Sequence, residues 1–75
     1  MTEKLQKELN VQINAEMWSS NLYLSMAFYL KNKGLDGCAN WLMKQSQEEL
    51  NHAYEIADYL SKRGEKAEVG MGDDV

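Results

Sequence analysis

Proline is absent from the chain, and glycine is excluded from two long stretches of it. The first stretch runs from Glu3 to Lys33 and the second from Cys38 to Arg63. Both are rich in Leu, Ala, Met, Glu, Gln and Lys, which are strong helix formers. The pattern predicts an all-α chain with two helices of roughly 30 and 27 residues, about 45 and 40 Å long. Because only residues 34–36 connect them, the helices should form an antiparallel hairpin.

Capping signals support these boundaries. Thr2 and Asp36 are N-cap candidates for the first and second helix. Each helix is followed by basic residues and a glycine, in Lys31-Asn32-Lys33-Gly34 and in Lys62-Arg63-Gly64. Such endings are typical of helix C-termini, where a glycine adopts the left-handed conformation and cations oppose the helix dipole.

The length of 75 residues allows at most one domain. We predict a helix pair over residues 1–64 and a polar tail over residues 65–75, which contains few apolar side chains. The hydrophobic content of 44% is too high for a disordered chain. A core this small needs support from a metal or a partner subunit.

Other functional classes are disfavoured by charge and cysteine content. The single cysteine, Cys38, cannot form an internal disulfide, which favours a reducing compartment. The net charge of −4 argues against nucleic acid as a partner. The N-terminus shows no apolar leader, and the stretch Leu22–Leu30 is about half the length of a membrane-spanning helix. We therefore expect a soluble cytoplasmic protein that contacts neither nucleic acid nor membrane.

Apolar residues cover more of each helix than a hairpin can bury. The first helix has one broad apolar face, which includes Leu9, Ile13 and Ala27, and a second stripe roughly opposite. That stripe consists of Val11, Trp18, Leu22, Met26 and Tyr29. The hairpin should therefore be half of a four-helix bundle. Its partner would be another helix pair, either a second copy of this chain in a homo-oligomer or the other half of a longer protein.

Three ionisable residues interrupt the apolar faces. Glu16 falls in the middle of the face of the first helix, and Glu49 and His52 fall, with Gln45, in the middle of the face of the second. Counted from the turn, Glu16 and the Glu49–His52 pair differ in depth by about 3–8 Å. Because Glu49 and His52 are three residues apart on one helix, both can converge on one ion with Glu16.

Two carboxylates with one imidazole suit Fe(II) or Mn(II). Dinuclear iron bundles use one Glu from each of two helices and a Glu-x-x-His from each of the other two. This chain contains one such Glu and one such motif, so two copies would supply the full set. The alternative is a structural hairpin in which Glu16, Glu49 and His52 are only hydrogen-bonded in the core.

The sequence resembles the first helix pair of the non-haem bacterial ferritins, over about residues 5–64. The resemblance lies in the segments Leu9–Glu16, Ser19–Met26, Gly34–Trp41, Gln47–Ala53 and Asp58–Leu60. It implies a ferritin-like four-helix bundle and a ferroxidase, which binds Fe(II) at a di-iron centre, oxidises it with O₂ or H₂O₂ and stores the product as a mineral inside a protein cage.

The resemblance also implies roles for individual residues. Glu16 and His52 match ligands of the first iron, and Glu49 matches the carboxylate that bridges both irons. Tyr23 matches a tyrosine beside the centre, although core packing is an equal interpretation. Glu48 matches a ligand of an auxiliary third iron, although it is also a simple surface charge.

Further positions matter for packing. The outer stripe residues Trp18, Leu22 and Tyr29 resemble the family's dimer interface. Trp41 is expected in the core, and Cys38 is expected to pack as a small hydrophobic residue.

The chain departs from the family after the second helix. The crossover, the second helix pair and the short fifth helix are absent from this sequence, and with them the remaining iron ligands. Three explanations are open: a piece of a larger ferritin, a short protein whose two copies build a symmetric site, or a truncated product that binds no iron. A rubrerythrin-like di-iron protein that scavenges peroxide is an alternative function.

Overall fold

Two antiparallel α-helices form the hairpin. In a computed structural model, which describes residues 1–70, helix α1 spans Glu3–Asn32 and helix α2 spans Asp36–Lys62. The predicted fold class and both helix lengths are confirmed. Neither helix is long and apolar enough to cross a membrane. Residues 71–75 of the predicted tail lie outside the described residues, and the division at residue 64 stays a prediction.

The helix ends follow from local sequence, with one exception. The Thr2 side chain accepts a hydrogen bond from the Leu5 N–H at 3.1 Å, as predicted for an N-cap. Gly34 and Gly64 adopt φ of 79° and 73°, which only glycine reaches without strain. The expectation that Asp36 caps α2 was wrong. Leu35 is the N-cap without a side-chain bond, and Asp36 instead places its charge in the first turn.

The core is a narrow seam between the two helices. Ile13, Ala53 and Leu60 form its cluster of buried apolar side chains. Towards the turn the seam consists of small buried residues, among them Ala27 and Ala39. Small side chains allow the two backbones to approach closely, so little apolar area is buried within the hairpin itself.

Ser20 and Ser46 face each other in this seam and are 5% and 6% exposed. The Ser20 hydroxyl donates to the Ser46 carbonyl, and the Ser46 hydroxyl donates to the Ser20 carbonyl, both at 2.8 Å. The two hydroxyls are also 2.8 Å apart. These bonds fix one depth of α1 against one depth of α2.

Large apolar side chains remain outside the seam. The outer stripe of α1 is exposed along its length, as predicted for a second interface. The expectations that Trp41 lies in the core and that Cys38 packs were wrong for this chain, since both are exposed. Both residues lie on the side of α2 that α1 does not cover.

The segment after α2 follows the flank of α1. Amide side chains spaced four residues apart on α1 bind the backbone of alternate residues in the segment. The pairs are Gln6 with Lys66, Asn10 with Lys66 and Glu68, and Asn14 with Glu68 and Gly70. Four helical residues advance about 6 Å and two extended residues about 6.6 Å, so the spacings match. We call this arrangement the amide ladder.

Candidate metal centre

The three ionisable residues predicted to converge do so at mid-length of the hairpin. One ligand atom each from Glu16, Glu49 and His52 lies within 4.8 Å of the other two. His52 Nδ1 lies 3.4 Å from Glu16 Oε2. The Glu16 side chain is 15% exposed and that of His52 is 53% exposed. The group therefore sits at the margin of the seam and opens to one side of the hairpin.

The serine pair explains why the predicted depths coincide. Glu16 precedes Ser20 by one helical turn, and Glu49 follows Ser46 by just under a turn in the antiparallel helix. The hydrogen bonds between Ser20 and Ser46 therefore set Glu16 level with the stretch of α2 that carries Glu49 and His52. Because residues three apart share a helix face, the latter two side chains point to the same place.

Gln12 holds Glu16 in position, a contact that the sequence analysis did not predict. Its Nε2 donates to Glu16 Oε1 at 2.9 Å, which leaves Glu16 Oε2 directed at His52. The available signal was the i, i+4 spacing of Gln12 and Glu16 on one helix.

The two carboxyl groups shift each other's pKa in opposite directions. The pKa of Glu16 is lowered, chiefly by a hydrogen bond with Glu49, with further help from Gln12 and His52 and against the effect of burial. The pKa of Glu49 is raised, first by that same bond, then by burial and by the negative charge of Glu16. Two carboxylates this close repel each other when both are charged. A divalent cation bound between them would offset that repulsion.

The donor set fits Fe(II). Carboxylate oxygens and a neutral imidazole are the ligands of non-haem iron and manganese sites. Two carboxylates balance the charge of one divalent ion. Three protein donors leave coordination positions free for a second set of ligands or for an oxidant.

Two further predicted site residues lie outside this group. Glu48 is exposed and points away from Glu49 by about 100° around α2. Tyr23 is half-buried and lies two turns beyond Glu16 on the same side of α1. Their roles as an auxiliary ligand and as a residue beside the centre remain predictions.

Residues 6–73 match the Ferritin-like domain family. The chain belongs to the ferritin family. It is 61% identical over 69 residues to the bacterial non-heme ferritin of Bacteroides fragilis. The aligned region covers 92% of this chain and 43% of that protein. With the bacterial non-heme ferritin of Staphylococcus epidermidis the identity is 37% over 67 residues, covering 89% of this chain and 40% of the relative. The chain thus spans about two-fifths of the length of these relatives.

Solved ferritin structures contain the same hairpin. The open-pore ferritin of the archaeon Archaeoglobus fulgidus superimposes with a TM-score of 0.89 at 47% identity, over 93% of this chain and 43% of that one. Chlorobium tepidum ferritin gives the same TM-score and coverages at 31% identity. The hairpin therefore matches part of a ferritin four-helix bundle, which confirms the predicted fold class and the resemblance to ferritin.

Proposed function

We propose that this chain binds Fe(II) through Glu16, Glu49 and His52 and contributes these ligands to a di-iron ferroxidase centre that serves iron storage. The observation that carries the proposal is the convergence of the three ligand atoms within 4.8 Å on facing helices. Its family adds support, since relatives that share most of this chain are named non-heme ferritins.

Each residue has a distinct part. Glu16, held by Gln12, and His52 would hold one Fe(II) as terminal ligands. Glu49, once deprotonated, would be the carboxylate that this iron shares with a second iron. Two irons held together in this way would supply two electrons to one oxidant.

The reaction requires a second helix pair. It supplies the other ligands of the second iron and covers the open side of the group, which keeps bulk water from the irons. There two Fe(II) would become two Fe(III), and their two electrons, with two protons from solvent, would reduce O₂ to H₂O₂ or H₂O₂ to two waters. We place this activity in the cytoplasm, where a free thiol such as Cys38 stays reduced.

An anaerobic calorimetric titration with Fe(II) tests the proposal. We expect saturable binding by the unmodified chain and a loss of affinity of at least tenfold in both Glu49→Ala and His52→Ala, consistent with the cost of removing metal-binding side chains. Glu8→Gln is the matched control, because it removes an exposed carboxylate about two turns from Glu16 without touching the group. Equal affinity in all four proteins would exclude this metal centre.

A further inference from the structure

We infer that Gln12 is a positioning residue that makes Glu16 the ligand of a single iron and leaves Glu49 as the carboxylate that two irons share. The inference rests on the proposed function, to which it adds the cause of the difference between the two glutamates. Gln12 itself would touch no metal. It acts through the oxygen of Glu16 that it occupies.

The two oxygens of Glu16 face different partners. Gln12 Nε2 donates a hydrogen bond to Oε1 at 2.9 Å, whereas His52 Nδ1 lies 3.4 Å from Oε2. A side-chain amide presents its N–H hydrogens, the positive end of its dipole, to the oxygen that it binds. A cation therefore approaches Glu16 more favourably at Oε2, on the side of the other two ligands.

Glu49 has both oxygens free of such a donor. The side-chain amides of residues 1–70 that donate hydrogen bonds do so to backbone carbonyls, to Asn51 or to Glu16, and none donates to Glu49. A carboxylate with both oxygens free is the better bridge, since two cations can approach it without competing for one oxygen. The two glutamates thus differ in what their surroundings leave available, although their side chains are the same.

Gln12 and His52 reach Glu16 from different directions. Gln12 lies one helical turn away on the same helix, about 6 Å along its axis, whereas His52 reaches across from α2. The terminal torsion of a glutamate side chain is otherwise broadly distributed. Contacts along the helix and across the seam therefore restrict the carboxylate of Glu16, which is 15% exposed, to one orientation.

An uncharged donor at position 12 preserves the charge of the site. A lysine or arginine one turn before Glu16 would hold the carboxylate by an ion pair, but its own charge would repel a divalent cation nearby. The amide of Gln12 donates a hydrogen bond without adding charge. Glu16 and Glu49 can then still provide the two negative charges that balance one Fe(II).

Gln47 on α2 provides a matched control within the chain. Its Nε2 donates to Asn51 Oδ1 at 3.0 Å, over the same four-residue spacing as Gln12 and Glu16. Gln47 and Asn51 are exposed, and Gln47 lies about 160° around α2 from Glu49. Replacing Gln47 therefore breaks an equivalent hydrogen bond whose acceptor is not a metal ligand.

Anaerobic calorimetry with Fe(II) and visible absorption with Co(II), both on the full chain, test the inference. Methionine resembles glutamine in length and helix propensity but has no N–H to donate. We expect Gln12→Met to lower the Fe(II) affinity about tenfold, as removal of a hydrogen-bond partner from a metal ligand typically does. It should also change the Co(II) spectrum, because that spectrum reports the number and arrangement of the donor atoms. Gln47→Met should match the unmodified chain in both measurements.

A double variant tests whether the effect passes through Glu16. In a Glu16→Ala background, Gln12→Met should cause no further loss of affinity, because the carboxylate on which it acts is gone. A further loss in that background, or a lower midpoint of urea unfolding for Gln12→Met than for Gln47→Met, would show a general structural effect and contradict the inference.

The remaining outcomes separate the inference from the function on which it rests. If the unmodified chain binds Fe(II) and Gln12→Met has the same affinity and the same Co(II) spectrum, the role of Gln12 is wrong while iron binding stands. If the unmodified chain binds no Fe(II), both are wrong.

Discussion

The buried serine pair of the helix seam predicts a double-mutant cycle in which the two single effects add. Each hydroxyl has one proton, so the pair donates two hydrogen bonds at a time, to the opposite carbonyls or to each other. Ser20→Ala leaves the Ser46 hydroxyl donating to the Ser20 carbonyl, and Ser46→Ala leaves the Ser20 hydroxyl donating to the Ser46 carbonyl. Each single variant therefore loses one bond, about 0.5–1.5 kcal/mol of unfolding free energy. The higher helix propensity of alanine offsets about 0.5 kcal/mol of this loss.

The double variant loses both donated bonds, whereas each single variant loses one. The effect of the double variant should therefore equal the sum of the single effects, about 1–3 kcal/mol before the helix-propensity offset, to within about 0.5 kcal/mol. A larger difference would show that the contact between the two hydroxyls stabilises the pair beyond its two donated bonds.

Urea unfolding followed by circular dichroism measures the cycle, at one protein concentration and in EDTA so that association and metal do not contribute. Ser25→Ala, at an exposed position of α1, is the control and should change the unfolding free energy by less than about 0.5 kcal/mol. Single variants no less stable than Ser25→Ala would refute the bonded pair and with it the account of how Glu16 is set level with Glu49.

Three other outcomes are expected. Leu60→Ala should destabilise the hairpin by about 2–5 kcal/mol in the same urea assay, because Leu60 is fully buried; an effect below about 1 kcal/mol would show that the seam is not the core. Fe(II) affinity should fall as acid lowers the pH through the raised pKa of Glu49, since protonation of this carboxylate competes with the metal; calorimetry across that range would contradict this if affinity stayed constant. Asn14→Leu should speed amide hydrogen exchange at Gly70, which donates to Asn14, while α2 keeps its protection; unchanged exchange at Gly70 would contradict the amide ladder.

Sequence reasoning succeeded where a single residue determines local conformation. Gly34 and Gly64 adopt the left-handed conformation that ends a helix, and Thr2 supplies a hydroxyl to a free N–H, so the ends of the helices were predictable. The inward phase of Glu16 and of the Glu49–His52 motif likewise predicted that the three would meet, because helical rise and phase convert sequence position into depth.

It failed where conformation depends on partners distant in sequence. Asp36 has a cap-forming side chain, yet the tight turn places it one residue inside α2. Trp41 has the hydrophobicity of a core residue, but a two-helix seam is too narrow to cover it. Asn10 and Asn14 bind a segment more than fifty residues away. These bonds could not be predicted, because they join side chains to backbone groups and leave no periodic pattern in either part of the sequence.

The amide ladder makes the segment after α2 sensitive to its own length. The amides of Asn10 and Asn14 each accept from one backbone N–H and donate to a carbonyl two residues earlier, as an adjacent β-strand would. Inserting one residue before Lys66 would turn the opposite edge of the backbone towards α1, whereas inserting two would restore the pairing one step along. The segment after α2 is neither helix nor strand, yet its backbone pairs with α1 at every second residue. Its register is therefore set by the helix that it follows, in the way that a neighbouring strand sets the register within a sheet.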